Sequence, residues 1–168
     1  LTGNGGLSFI GNGSTVFNLA PATIGTHSFG GMLSITAGTL NADFADVSST
    51  SSLNMGVGGT LNLAVGTLSS TNTYLGGLTG TGNLNINFNN SGDTLNLTGS
   101  PSFTGTTTLN NGGTLDIYNG SLGNPTNGTG NLTGTGNLVI GGDLQPSTGP
   151  VYLYGSNNNF TGDTSTEE

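Results

Sequence analysis

The chain has 168 residues, of which 33 are glycine, and it contains no Cys, Lys or Arg. Eight acidic residues and one histidine give a formal net charge of −8 at pH 7, although only 5 % of the residues are charged. Without Lys or Arg the chain has nothing that neutralises phosphates, so nucleic acids and anionic membrane surfaces are excluded as partners. No apolar run approaches the ~20 residues of a membrane-spanning helix, and we expect no membrane insertion by this chain.

Helical patterns are almost absent. Apolar residues nowhere recur at the i, i+3, i+4, i+7 spacing of an amphipathic helix, and Gly or β-branched residues interrupt each candidate window. The length suits one domain, and the chain begins inside a repeated phrase. We therefore expect residues 1–168 to form a single segment, either a mature piece or a fragment of a longer repetitive surface protein.

Short stretches that alternate apolar and polar residues predict strands with one buried face. The clearest is "NLNINFN" (83–89), in which Leu84, Ile86 and Phe88 alternate with asparagines. In chain order, the predicted strands include "TLNLAV" (60–65), "NLNINFN" (83–89), "TLNLT" (94–98), "TLDIY" (114–118) and "VYLY" (151–154).

Two phrases are repeated along the chain. "LTGTGNL" occupies 78–84 and returns unchanged at 132–138, and a variant, "LTGNGGL", occupies 1–7. The second phrase begins with a glycine pair and occurs three times. The distance along the chain from its second copy to its third is close to twice the distance from its first copy to its second. We interpret the longer period as about two of the shorter. The copies of this second phrase are "GGMLSI" (30–35), "GGTLNL" (58–63) and "GGTLDI" (112–117).

Internal repeats of short strands with Gly/Asn turns predict an all-β fold, a parallel β-helix or β-solenoid. The spacings from Leu61 to Leu84 and from Leu95 to Leu115 suit single coils. Leu, Ile, Val and Phe then point inward, while Thr and Asn point outward or stack in register. The alternative is an antiparallel sandwich, but sandwiches usually carry more aromatic residues and show no internal repeat.

Residues 78–117, "LTGTGNLNI…LTGSPSFTGTTTLNNGGTLDI", resemble the passenger-associated repeat of bacterial autotransporters and large surface adhesins. Phe103 to Thr108 match the aromatic-"TGxTT" half of that pattern, and Gly112 to Ile117 match its "GGTLxL" half. The resemblance is partial over 132–164 and faint over 1–65. It implies a right-handed parallel β-helix at the cell surface or beyond it, as a stalk, an adhesin or a matrix fibre. The family's repeats hold no catalytic residues, and a complete lack of basic residues is unusual for it.

Carboxylate pairs are relevant because some β-helices cleave polysaccharides. Asp43 and Asp46, in "NADFADVS", could flank a glycosidic bond, but an odd separation in a strand sends them to opposite faces. His27 could be drawn into a triad with Ser28 and Asp43, although nothing in the spacing supports this. A corner imidazole is the simpler interpretation. The remaining aspartates are scattered along the chain; they are Asp93, in a turn context, Asp116, Asp143 and Asp163. We therefore expect that the chain is not an enzyme and has no catalytic residues.

Calcium is the ion that this composition fits best, since Asp and Asn supply the oxygen ligands that calcium takes. The repeat "GGxGxD" is absent, with only the fragment "GGD" at 141–143, so no metal ligand and no certain cofactor is assigned. Asn-x-Ser/Thr acceptors for glycosylation are frequent, as expected by chance in such a chain. They lie at Asn12, Asn89, Asn96, Asn119, Asn127, Asn131 and Asn159.

Threonine triplets raise ice binding as a further hypothesis, because outward Thr-x-Thr rows on a flat solenoid can order water. They recur only once per long repeat, and Thr is also an ordinary residue on the solvated face of a strand. The triplets are "TNT" (71–73) and "TGT" at 79–81, 104–106 and 133–135.

The sequence therefore favours an extracellular or cell-surface structural protein, a β-solenoid stalk or fibre subunit that associates end to end with other copies of itself. The alternative is an adhesin-type module that contacts carbohydrate or a surface protein through the irregular loops 119–131 and 144–150. Ice binding and polysaccharide cleavage rank below both.

Overall fold

The computed structural model describes residues 1–19, 27–99, 101–117, 120–122, 132–134, 137–140, 151–153, 159–160 and 164–166. These residues form a stack of parallel strands, which confirms the predicted β-solenoid. The elements in chain order are β1 (Thr2–Gly3), β2 (Leu7–Ile10), β3 (Val16–Leu19), β4 (Ser28–Phe29), β5 (Met32–Asp43), α1 (Phe44–Val47), β6 (Ser52–Val65), β7 (Thr71–Tyr74), β8 (Gly77–Gly80), β9 (Asn83–Phe88), β10 (Thr94–Leu97), β11 (Ser102–Phe103), β12 (Thr106–Asn110), β13 (Thr114–Ile117), β14 (Gly120–Leu122), β15 (Leu132–Gly134), β16 (Asn137–Ile140), β17 (Val151–Leu153), β18 (Asn159–Phe160) and β19 (Thr164–Thr166).

The strands stack in three columns, which we name faces 1, 2 and 3 in the order in which the chain visits them. Face 1 contains β2, the first halves of β5 and β6, then β8, β11, β14 and β17. Face 2 contains β3, the second halves of β5 and β6, then β9, β12, β15 and β18. Face 3 contains β7, β10, β13, β16 and β19. β1 and β4 pair with each other. They come directly before the face 1 strands β2 and β5, as face 3 strands do in later coils.

Coil length follows the leucine spacing that the sequence predicts. Leu61 pairs with Leu84 on the next coil, and Leu95 likewise pairs with Leu115. Both spacings are confirmed as single coils. Coils stack at the ~4.8 Å spacing of hydrogen-bonded strands, so a strand residue of a middle coil lies between residues of the coils on either side of it.

The core is a set of apolar ladders inside the coil. On face 2, Leu40, Leu61 and Leu84 stand in register and are at most 2 % exposed. The alternation of "NLNINFN" is also confirmed, since Ile86 and Phe88 are fully buried. Burial of each such side chain contributes roughly 1.5–3 kcal/mol, so the inward column is the main source of stability.

The repeated phrase "LTGTGNL" marks a corner of the coil. In its copy at 78–84 it joins β8 on face 1 to β9 on face 2, but in its copy at 132–138 it joins β15 on face 2 to β16 on face 3. The variant at 1–7 leads from β1 to β2 on face 1. Copies of the glycine-pair phrase likewise precede strands on three different faces. Interpreting the longer period between those copies as twice a shorter repeating unit was therefore wrong.

The third residue of the phrase explains why it suits a corner. Gly80 and Gly134 have φ values of +110° and +114°, which L-residues with a side chain rarely adopt. A Cβ at Gly80 would also overlap the carbonyl oxygen of Met55, and a Cβ at Gly134 would overlap that of Leu109. Both glycines are held against the backbone of the preceding coil, so the same glycine geometry occurs on two different faces.

One turn of helix, α1, occupies the place of a face 3 strand between β5 and β6. Asp43 is its N-cap, and the Asp43 side chain accepts a hydrogen bond from the Ala45 N–H at 3.0 Å. Phe44 and Val47 point into the core, which allows so short a helix to replace a strand. In the described part of the chain, no helix has the length and apolar character needed to cross a membrane.

Candidate functional site

Asparagines form a continuous hydrogen-bonded column on the outer surface of face 2. Each Nδ2 donates to the Oδ1 of the preceding coil, at 2.6 Å from Asn41 to Asn18, 2.7 Å from Asn62 to Asn41, and 2.8 Å from Asn85 to Asn62. We name Asn18, Asn41, Asn62 and Asn85 the Asn ladder. Stacked amides of this kind stabilise parallel in-register strands, and the ladder fixes one side of the candidate site.

A second outward column runs beside the Asn ladder and is interrupted. Asp43, Ala64, Asn87 and Asn110 stand in register, and Asn110 donates to Asn87 at 3.0 Å. Ala64 has only a methyl group, so the column has a gap between Asp43 and Asn87. A cleft of about 430 Å³ opens there, which we name the corner cleft. It is lined by Asn41, Ala42, Asp43, Asp46, Asn62, Ala64, Thr67, Asn87 and Asn89.

Both carboxylates that the sequence singled out line the corner cleft. Expecting Asp43 and Asp46 on opposite faces was wrong, because the strand ends at Asp43 and α1 follows it. Side chains three positions apart at a helical turn lie on one side of it, with Cβ atoms ~5–6 Å apart. Asp43 is 9 % exposed and Asp46 is fully buried.

The two carboxylate oxygens of Asp46 differ in their hydrogen bonding. Its Oδ1 accepts a hydrogen bond from the His27 N–H at 3.1 Å and lies 3.2 Å from His27 Nδ1. Its Oδ2 is buried and has no hydrogen-bond partner in the part of the chain that the structure describes. His27 is therefore a corner residue, as expected, but it packs on a buried carboxylate from the next coil.

The triad drawn from His27, Ser28 and Asp43 is not formed. The Nδ1 of His27 faces Asp46 instead of Asp43, and the Ser28 hydroxyl lies 3.4 Å from that of Ser49. Asp93, by contrast, lies in a turn as expected, where it accepts a hydrogen bond from the Asn90 N–H at 2.6 Å. Asp93 is therefore a structural turn residue.

Within the described ranges, no group of three or more His, Cys, Asp or Glu residues could hold a metal ion. The corner cleft instead combines two carboxylates with amide and hydroxyl oxygens. Asn89 donates from Nδ2 to the Thr67 hydroxyl at 3.0 Å, and that bond leaves the Asn89 carbonyl oxygen available. The chemistry that the cleft offers is hard-oxygen coordination and hydrogen bonding to polar groups.

Among the described residues the threonine triplets do not form an array. Thr71 and Thr73 lie on β7 of face 3, whereas the triplet at 79–81 runs from β8 into a corner and the triplet at 104–106 runs from a corner into β12. Thr133 lies on β15, and Thr135 lies outside the described residues. The regular outward array is the Asn ladder. The expectation that Asn would point outward or stack in register is confirmed, but these four positions were not identified from the sequence. The signal of the ladder was available in the recurrence of asparagine, close to once per coil, at positions 18, 41, 62 and 85.

Several predicted sites differ in exposure or lie outside the described residues. Among the glycosylation acceptors, Asn12 and Asn89 are exposed, whereas Asn96 is only 3 % exposed and so is closed to modification in the folded chain. Asp116 is buried on face 3. Outside the described residues lie Asp143, Asp163, "GGD" (141–143), Asn119, Asn127, Asn131, the loop 144–150 and, except for β14, the loop 119–131.

Comparison with known proteins gives no assignment. A scan against models of protein families returned no match, and searches of curated proteins and of solved structures found none either.

Proposed function

We propose that this chain is a structural segment, a stiff β-solenoid rod that works at the cell surface or outside the cell. The observation that supports this most is the register of the inner and outer ladders on face 2, in which Leu40, Leu61 and Leu84 stack inside while the Asn ladder stacks outside. Such stacking resists bending of the coils that the ladders join. The resemblance of residues 78–117 to the autotransporter passenger repeat supports the same role, as does the lack of Lys and Arg, which removes every trypsin-type cleavage site.

The first described coil supports association between copies. Leu7, Phe9 and Phe17 pack against the core but are only partly buried, and the rings of Phe9 and Phe17 meet at 5.0 Å between centroids. Within the described residues, β2 and β3 pair only with β5. Open edges of this kind accept further strands. A second copy stacked on this edge would bury the three side chains and lengthen the rod.

Negative-stain electron microscopy and sedimentation over a concentration series test this proposal. We expect linear oligomers that lengthen with protein concentration and need no added ligand. Val16→Asp places a charge on the open edge at a residue that is 57 % exposed, so it should block association and leave the fold intact. The matched control is Val57→Asp, at a residue 87 % exposed on β6, which should associate like the unmodified chain. Monomers at every concentration would refute self-association.

In the adhesin alternative, the loops 119–131 and 144–150 contact carbohydrate or a surface protein. Replacing either loop with a Gly/Ser segment should then remove that binding.

We further propose that the chain has no enzymatic activity. The corner cleft has two carboxylates, but its lining contains no aromatic platform or basic group of the kind that usually positions a sugar.

A further inference from the structure

We propose that the corner cleft binds a divalent cation of the calcium type, with Asp43 and Asp46 as its carboxylate ligands. This proposal does not depend on the structural role, since a monomeric rod and a fibre would both carry the site. It rests on the buried Oδ2 atom of Asp46, which has no hydrogen-bond partner among the described residues, and on the oxygen atoms around it.

The Oδ2 atom of Asp46 needs a partner from solution, because the partner that the structure gives this carboxylate, His27, lies at Oδ1, which is 3.2 Å from His27 Nδ1. An ionised carboxylate that is buried without a full set of partners carries a large desolvation cost. Asp46 is fully buried, and among the described residues its Oδ2 has no hydrogen-bond partner. The chain has no Lys or Arg, and His27 already faces Oδ1 of the same carboxylate. A cation in the corner cleft, which Asp46 lines, would offset that cost.

The other donors around the cleft are oxygens that calcium prefers. Asp43 uses Oδ1 to cap α1, and its other oxygen takes no part in that cap. The Asn89 carbonyl oxygen is available in the same cleft, because its amide nitrogen is the atom bonded to Thr67. Calcium takes six to eight oxygens in flexible geometry, and a cleft of about 430 Å³ has room for the ion and several waters. Magnesium, which requires strict octahedral geometry, fits this open arrangement less well.

The outer columns also make the site rigid. Asn62 is held on both sides, donating to Asn41 and accepting from Asn85. Asn87 is held by Asn110. The gap over Ala64 therefore keeps its shape without a ligand, and the ordering cost of binding is small.

Calorimetric titration with calcium chloride, together with thermal unfolding followed by circular dichroism, tests the proposal. We expect one site per chain with a Kd on the order of 10⁻⁴–10⁻³ M, the range of extracellular calcium modules. Calcium well above that Kd should raise Tm by about 3–8 °C, and magnesium at matched ionic strength should raise it less. Asp43→Asn and Asp46→Asn should each weaken binding at least about tenfold, because the charge of the ligands sets calcium affinity.

Two further variants separate the cleft from general effects of acidity or stability. Asp93→Asn changes a buried carboxylate outside the cleft and should bind calcium like the unmodified chain. Ala64→Asn fills the gap in the outer column and keeps both carboxylates, so it should abolish binding while preserving the strand signal. If the unmodified chain binds no calcium, or if Ala64→Asn and the two cleft variants all bind it normally, the proposal is wrong.

Discussion

The corners and the outer surface of face 2 maintain the same stack in opposite ways. At the corner, Gly80 lies against the Met55 carbonyl with φ +110°, and its backbone leaves no space for a side chain. On the face, the column begun by the Asn ladder continues as Thr108 and Thr133, whose hydroxyls lie 3.1 Å apart. The corner position of Gly80 is therefore restricted to glycine, whereas the outer column of the face accepts different side chains that can bond to their neighbours in the stack.

The largest effect should come from a corner. Gly80→Ala combines an unfavourable φ with overlap of the Met55 carbonyl oxygen, and we expect it to lower the free energy of unfolding by about 3 kcal/mol. Urea unfolding followed by circular dichroism measures the loss. Gly92→Ala is the matched control, because a Cβ there meets no heavy atom within 4 Å; its effect should stay within about 0.5 kcal/mol. Equal losses would contradict the contrast between corner and surface.

Ionisation of Tyr74, which points inward on face 3, should lower the free energy of unfolding by an intermediate amount that depends on pH. Tyr74 is 2 % exposed, and burial raises its pKa to about 12, against a smaller opposing effect of its hydrogen bond with Thr50. Thr50 Oγ1 donates to the Val47 carbonyl at 2.8 Å, so it accepts from the Tyr74 hydroxyl at 3.0 Å.

Because the folded pKa exceeds the unfolded value of 10.0, the stabilising effect of neutral Tyr74 is complete below pH 10. It is lost as the pH rises from 10 toward 12, by roughly 2–3 kcal/mol. Unfolding free energies measured between pH 8 and pH 12 check this, with Tyr74→Phe as control. The phenylalanine variant should lose less stability over that range; an identical profile would show that another group titrates.

The smallest of these effects should come from the Asn ladder. Asn62→Ala removes one bond to Asn41 and one from Asn85, which we expect to cost about 1–2 kcal/mol. Asn18→Ala removes only the bond from Asn41, and it should cost about half as much. Chemical unfolding of the two variants provides the comparison, and a loss at Asn18 equal to that at Asn62 would mean that the ladder does not act bond by bond.

The local sequence was sufficient to predict the structure wherever that structure depends on the alternation of apolar and polar residues. The inward set Leu84, Ile86 and Phe88 and the coil spacing from Leu61 to Leu84 were predicted correctly. The helical turn α1 was not, because four residues carry no helical period and only the burial of Phe44 and Val47 places it. The Asn ladder left a signal in its spacing, but asparagines that recur close to once per coil are hard to distinguish in a chain so rich in Asn.

By itself, then, the sequence determined that this chain forms parallel coils of short strands with glycine corners, because side-chain alternation and backbone freedom are local properties. The tertiary structure decided which two faces each copy of a repeated phrase connects, because corner lengths vary and the same phrase fits more than one corner. It also created the corner cleft. Ala64 leaves a gap only because Asp43 and Asn87, each a full coil away along the chain, stand directly on either side of it in the stack.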